Sequence, residues 1–362
     1  MKLLFVITGI GLGHTIRESA IISEIRRLDP ETEIIIAGYK NSYRYFKGKF
    51  PTIKIHGHKF PESSFAVSRL KSLLINLPYP FWAWQDKKKL VKIINDFNPD
   101  KVIVDVQPAG IEAAIDCKKP VIAIYNLDIE EWQDFSSSLS LLNRIESKIM
   151  MHYVKESYQK ANQVIIPTIH QAKKSGKYNL VHPILRQLPS QLPSESSLMK
   201  KLGLKKPPIV VMLGGSKFGF SIAEKIISTA RNFNEQFIIF GYKDMETKNI
   251  LSFKFKENFL EYLKASKAAI LLSGHTALSE VIVFKKPSLV FPFKNYIEHY
   301  INVHQLKDYI LTKFIDKNVS EQELESYIKE LIKESPRLIK NMNKLNIKKN
   351  GAVEAARIIL RG

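Results

Sequence analysis

Short apolar runs alternate with amphipathic stretches along most of this chain. Residues 2–8, built on the apolar run Leu3–Ile7, predict a buried parallel strand. A glycine turn follows at 9–14 and an amphipathic helix at 15–28. The runs at 33–37, 52–56, 101–106, 120–125 and 163–167 predict further strands, with helices at 87–95 and 145–161. Residues 188–197 (LPSQLPSESS) have linker composition, after which the pattern restarts. Strands are predicted at 208–213, 236–240, 268–272 and 287–291, and helices at 223–232 and 259–264. The tail, 320–362, reads as helical and polar.

Strands alternating with helices predict an α/β protein with two doubly wound, Rossmann-like domains facing a cleft. The expected boundaries are 1–187 and 198–344, joined by the linker 188–197. A helix at about 345–362 is expected to pack back on the first domain. The opening MKLLFVITGIG is read as the first strand of a domain rather than a signal peptide, since glycines and an amphipathic helix follow at once.

Charge changes the picture. The formal net charge is +20, which favours an anionic partner such as a phosphorylated substrate, an acidic lipid or a nucleic acid. The single cysteine, Cys117, excludes an intrachain disulfide and a cysteine-cluster metal site, in keeping with a reducing, cytoplasmic setting. No apolar run approaches the roughly 18 residues of a membrane span. There is no HExxH, no GxxxxGK[ST] and no Asp-x-Asp of the kind that holds a divalent metal on a diphosphate. No metal or other cofactor is therefore expected.

Candidate chemistry sits at the turns after strands. Gly274, His275 and Thr276 form a turn that opens a helix, presenting backbone N–H groups to an anion. Glu280, further along that helix, can hold a ribose by its paired hydroxyls. Gly214, Gly215 and Ser216 follow another strand, either as a plain tight turn or as a phosphate cradle. The turn carrying Gly11 and Gly13 ends in His14, which can be a helix cap or a base acting on a hydroxyl near neutral pH. Its spacing is not that of a dinucleotide fingerprint. Arg186 is either a surface residue or a bidentate diphosphate clamp. Asp105, at a strand end, either assists acceptor binding or caps the next helix. Tyr79, Phe81, Trp82 and Trp84 crowd beside Lys87, Lys88 and Lys89, as at the interface of an anionic membrane or as a buried cluster with a solvated helix start.

Taken in order, these motifs resemble the GT-B glycosyltransferases of family 28, the MurG-like group, over nearly the whole chain, and most of all its archaeal members of unassigned acceptor. The resemblance implies an inverting transferase that moves a hexose or N-acetylhexosamine from a UDP-sugar, metal-independently, to a lipid-linked or glycolipid acceptor. It implies a peripheral protein on the inner face of the cell membrane, with no specific nucleic-acid partner. By resemblance, Gly11, Gly13, Arg186, Gly214, Gly215, Ser216, Gly274, His275 and Thr276 attend the donor diphosphate, and Glu280 the ribose. Phe259, Leu260 and Leu263 match the nucleobase segment. Glu298 and His299 stand where the family has paired glutamines on the donor sugar, with Asn302 on the same segment. His182 stands where the family's asparagine precedes the arginine. Two alternatives share parts of this pattern. A UDP-N-acetylhexosamine 2-epimerase has the same two-domain plan, and a non-enzymatic basic protein binding an anionic polymer would explain the charge.

Overall fold

The computed structural model describes residues 1–61, 67–136, 139–169, 173–214 and 217–361. The chain divides into two compact units, the first of residues 1–60, 70–186 and 349–362 and the second of 61–69 and 187–348.

In chain order the first unit begins with β1 (Lys2–Ile7), α1 (Gly13–Leu28), β2 (Glu33–Gly38), α2 (Lys40–Phe46), β3 (Thr52–Lys54), α3 (Arg69–Asn76) and α4 (Tyr79–Phe97). It continues with β4 (Lys101–Asp105), α5 (Pro108–Asp116), β5 (Val121–Ile124), α6 (Ile129–Ser136), α7 (Leu141–Lys160), β6 (Gln163–Pro167), β7 (Lys173–Ser175) and β8 (Tyr178–Val181). Among the described residues the sheet order is β3-β2-β1-β4-β5-β6-β8-β7, parallel except for the β7–β8 hairpin. The order reverses between β1 and β4, which is where doubly wound sheets place their ligands.

β1 is apolar from Leu3 to Ile7 because both faces are covered there. Leu3, Phe5 and Ile7 pack with Ile21 and Ile25 of α1 on one face. On the other, α5 comes so close that a Cβ on Gly110 would lie 3.0 Å from Val6.

The second unit runs α8 (Glu195–Lys201), β9 (Ile209–Met212), α9 (Lys217–Ala230), β10 (Phe237–Phe240), β11 (Met245–Glu246), β12 (Ile250–Phe253), α10 (Phe259–Ala265) and β13 (Ala268–Leu272). It ends with α11 (His275–Val283), β14 (Ser288–Phe291), α12 (Ile297–Gln305), β15 (Leu311–Thr312) and α13 (Glu321–Met342). Its sheet, β11-β12-β10-β9-β13-β14-β15, is parallel apart from β11, and β9 lies beside β13 at the switch in order.

The sequence pattern missed the short hairpin strands and set some helix starts late. The helix expected at 87–95 begins at Tyr79, so the aromatic cluster lies on its first turns. The helix expected at 145–161 begins at Leu141. The tail holds two helices of different character. α13 is amphipathic, with a Ser320–Glu323 capping box. The last helix, α14 (Gly351–Leu360), is largely buried.

α14 belongs to the first unit and is pinned at both ends. Its N-cap Asn350 accepts from Leu185 N at 3.1 Å and donates to Leu185 O at 2.8 Å. Glu354 accepts from His182 N at 2.8 Å and lies 3.0 Å from His182 Nδ1, so the histidine in the asparagine position is tied to this helix. At the other end the Lys101 ammonium donates to the carbonyls of Ile359 (2.6 Å) and Arg361 (2.9 Å), orphan acceptors of the helix C-terminus. Ala352, Ala355, Ala356 and Ile359 join the β1–α1 core.

The approach at Gly351 admits no side chain, since a Cβ there would lie 1.8 Å from His182 O. Gly351→Ala must displace α14 and should cost about 2 kcal/mol or more in urea unfolding. A stability equal to the parent chain would mean that α14 does not bear on the first unit's core.

Candidate active site

The turn between β1 and α1 is set by backbone constraints. A Cβ on Gly9 would lie 1.7 Å from Tyr39 O, so only glycine lets the turn pass. Gly11 has φ +68°, and its carbonyl accepts from Asn41 Nδ2 at 3.1 Å. The chain enters α1 at Gly13 with His14 in the first turn.

His14 Nδ1 lies 2.9 Å from Asp105 Oδ1. Asp105 closes β4 in register with Ile7 of β1, which brings two residues far apart in sequence to the same sheet end. The histidine side chain is 16% exposed and the aspartate wholly buried, so one edge of the ring stays reachable. Sequence reasoning named both residues, and the fold joins them.

It did not name the residues beneath them. Arg17, one helical turn after His14, sends Nη2 to both Asp105 oxygens at 2.8 Å, and Nη1 to Asn126 Oδ1 at 3.3 Å. Glu18 is fully buried beside them. Burial alone would raise the Asp105 carboxyl, but the Arg17 guanidinium and His14 hold it well below the usual carboxylate range. Burial, reinforced by the Asp105 charge, pushes the Glu18 carboxyl well above that range. The legible signal was the His14–Arg17 spacing of three, which puts a cation on the same helix face as the histidine.

A second polar group adjoins this one. The Tyr39 hydroxyl meets Thr8 Oγ1 (2.9 Å), Gln107 Nε2 (3.2 Å) and His58 Nδ1 (3.3 Å). Burial, then His14 and Lys40, lowers His58 to about 4, so it is neutral near pH 7. Its ring stands edge-on to Tyr79, with centroids 6.1 Å apart. Tyr79 in turn lies within electrostatic reach of Tyr153 on α7.

Outward from Tyr79 the surface is apolar. Phe81 and Trp84 stack at 5.8 Å and are 57% and 50% exposed. Leu70, Leu73 and Leu74 of α3 are exposed, as are Leu141, Ile145 and Ile149 of α7. The three lysines differ in use. Lys87 pairs with Asp116 at 2.9 Å, Lys89 donates to Lys54 O at 2.8 Å, and Lys88 sits over the Trp84 ring at 3.7 Å. Trp82 carries Lys59 over its ring at 4.0 Å. No described helix is long and apolar enough to cross a membrane.

In the second unit, β13 ends at Leu272 and α11 opens at His275, with Gly274 as N-cap and no acidic residue in the first turn. Gly274, His275 and Thr276 are half-buried. Asn302 donates to Ser273 O at 3.0 Å, while Asn302 Oδ1 and Ser273 Oγ are buried with no hydrogen-bond partner among the described residues. Ser273 Oγ and the N–H groups of a helix N-terminus can donate to an anionic group, and Asn302 Oδ1 can accept from a ligand hydroxyl. Glu280 is buried further along α11. Gly214, with φ +74°, follows β9. Gly215 and Ser216 lie outside the described residues.

The remaining candidates have defined places. Phe259, Leu260 and Leu263 turn their side chains into the core, Phe259 edge-on to Phe240 at 5.0 Å, which leaves their backbone for any contact with a base. Glu298 accepts from the Tyr296 hydroxyl at 2.9 Å. His299 stacks on Phe293 with centroids 5.0 Å apart, and its Nδ1 accepts from Phe293 N at 3.2 Å. Arg186 is half-buried at the end of the first unit. No described cluster of His, Cys, Asp or Glu could hold a metal ion.

The two sheets define a GT-B fold. Two solved structures share it. One is an Arabidopsis thaliana enzyme, UGT89C1, in complex with UDP (TM-score 0.65, 13% identity, 99% of this chain and 98% of that one). The other is MurG of Acinetobacter baumannii (TM-score 0.62, 13% identity, with the same coverage). Residues 1–332 match glycosyl transferase family 1, and the chain belongs to that family. The resemblance drawn from the motifs was to family 28, and the family that matches is family 1.

An uncharacterized glycosyltransferase of Methanosarcina acetivorans is 26% identical over 326 residues, 83% of this chain and 82% of that protein. A UDP-N-acetylglucosamine–N-acetylmuramyl-(pentapeptide) pyrophosphoryl-undecaprenol N-acetylglucosamine transferase of Thermosipho melanesiensis is 22% identical over 316 residues, 83% and 80% of the two chains. The protein is thus a glycosyltransferase, and neither the epimerase nor the polymer-binding alternative is favoured.

His299 gives a pH test of the second unit. Burial lowers it to about 3, against an ordinary value near 6.5. Between those values the unfolded chain takes up a proton that the folded chain refuses, so stability falls as pH drops below 6.5. The loss should reach about 2 kcal/mol at pH 5, at 1.36 kcal/mol per unit. His299→Gln keeps an acceptor and removes the titration, so its stability should fall less steeply between pH 6.5 and 5 in urea unfolding. Parallel curves for the two proteins would show that His299 is not held neutral.

Proposed function

We propose that the enzyme moves a hexose or N-acetylhexosamine from a UDP-sugar to a hydroxyl of a lipid-linked or glycolipid acceptor, with inversion at the anomeric carbon and without a metal. The observation that carries this reading is the His14–Asp105 pair, 2.9 Å apart, with the carboxylate buried and one ring edge reachable. With its Nδ1 proton on Asp105, the ring presents Nε2 as a base. Nε2 takes the acceptor's proton as its oxygen bonds to the anomeric carbon. The bond from that carbon to the diphosphate breaks, and UDP leaves with the electron pair.

The first unit thus supplies the base and the second the donor-binding groups. Backbone N–H groups at the start of α11 and at Gly214 meet the diphosphate charge, and Glu280 holds the ribose. Ser273 Oγ can donate to a phosphate oxygen of the donor, and Asn302 Oδ1 can accept from one of its hydroxyls. Support also comes from relatives. A neighbour in fold was solved with UDP, and the Thermosipho enzyme's name gives a UDP-sugar donor and a pyrophosphoryl-undecaprenol acceptor.

The expected measurement is a thermal-shift panel with UDP, GDP, TDP and ADP, with and without magnesium. UDP at about 100 times its dissociation constant adds roughly 2.7 kcal/mol, and should do so without metal. Glu280→Ala should weaken that response, whereas His14→Ala should keep it and lower transfer about 100-fold or more. Undiminished transfer by His14→Ala would remove the base assignment, and indifference to all four nucleotides would remove the donor class.

The acceptor side rests on the surface that runs from His58 through Tyr79 and Tyr153 to the exposed side chains of α3, α4 and α7. A polar inner end and an apolar outer end match a head group on a lipid tail, and Lys71 and Lys88 with the +20 net charge match an anionic membrane face. The protein is placed by this reading on the inner face of the cell membrane. In flotation with phosphatidylglycerol vesicles it should rise with the lipid, and Leu73→Ser with Trp84→Ser should weaken that binding. Failure to float on either anionic or neutral vesicles would count against the lipid acceptor.

A further inference from the structure

We propose that Arg17 is a positioning residue for His14: by holding both oxygens of the buried Asp105 carboxylate it keeps that group as the acceptor for the Nδ1 proton, so that Nε2 is left as the base. This rests on the reading of His14 as the base.

Arg17 Nη2 contacts three atoms, Asp105 Oδ1 and Oδ2 at 2.8 Å and His14 Nδ1 at 2.9 Å. That nitrogen carries two hydrogens and accepts none. Bonds to an ionised carboxylate are the stronger ones, so both hydrogens go to Asp105. Nδ1 then receives nothing from Arg17 and must itself donate to Oδ1, 2.9 Å away. The carboxylate has about four lone-pair sites, enough for all three donors. The opposite arrangement, with Arg17 donating to Nδ1, would leave the proton on Nε2 and present a donor where a base is needed.

Burial would raise the Asp105 carboxyl, but the Arg17 guanidinium and His14 hold it well below the usual carboxylate range, so the acceptor for the Nδ1 proton stays ionised. Glu18 on the same helix lies 3.7 Å from Arg17 Nε, and burial and the Asp105 charge push its carboxyl up.

The test reads the ring directly, without substrate. The full chain is labelled with 15N-histidine, His14 is assigned by its loss in His14→Gln, and its ring nitrogens are followed by long-range 1H–15N correlation against pH. Near neutral pH the wild-type ring should carry its proton on Nδ1. In Arg17→Met the ring should lose its preference for the Nδ1 proton, and Arg17→Lys should restore most of it. Because Arg17→Met leaves a buried carboxylate without its guanidinium, the chain could fail to fold. The comparison then passes to Arg17→Gln, which keeps a donor to Asp105 without the charge and should show a weakened Nδ1 preference. A wild-type ring protonated on Nε2, or the same Nδ1 preference with and without Arg17, would overturn the proposal. Loss of the base assignment would instead show as full transfer activity in His14→Ala, whichever ring nitrogen carries the proton.

Discussion

A buried carboxylate at the end of a parallel strand is the constraint on which the first unit's chemistry depends. Asp105 has no water to solvate its charge, so the fold must supply partners. It does so from α1, where Arg17 and His14 lie one turn apart and converge on the same two oxygens. The glycine turn serves the same arrangement: Gly9 passes hard against Tyr39 O, where a Cβ would lie 1.7 Å away, and the chain then enters α1. Backbone geometry, burial and charge are therefore one arrangement.

The second unit handles charge by another route. It offers the half-buried N-terminus of α11 and two buried polar atoms that no described protein group satisfies. Unmatched donors and acceptors cost energy in the folded chain, and a ligand that satisfies them recovers it. The first unit holds a charge network closed on itself with one ring edge exposed. The second holds a network left incomplete. That division suits a transferase, in which a base must be ready before the acceptor binds and a leaving group must be met when it departs.

The same division orders the surface. The α3, α4 and α7 side chains that face outward are large and apolar, while Lys87 and Lys89 are engaged within the protein. Aromatic crowding near lysines was visible in the sequence. The contribution of α7 was not, because Leu141, Ile145 and Ile149 recur at a spacing that equally suits a core-facing stripe. Only the packing shows which way that stripe faces.

Sequence alone determined the class of architecture, since apolar runs of strand length alternating with amphipathic helices admit few layer arrangements. It also marked His14, Asp105, Gly274 and Glu280, because turns after buried strands gather the ends of the sheet at one edge. It did not reveal that His14 and Asp105 touch, for they are 91 residues apart and meet only through the β1–β4 register. Nor did it reveal Arg17 as their partner, since the spacing of three from His14 places it on the same helix face without separating a buried arginine from a solvated one. His299 likewise read as a donor-sugar candidate, and only its stacking on Phe293 showed it buried and neutral. Local pattern fixes elements because propensity and burial act over a few residues. Charge pairing at a site is decided by tertiary structure because it depends on which strand ends become neighbours.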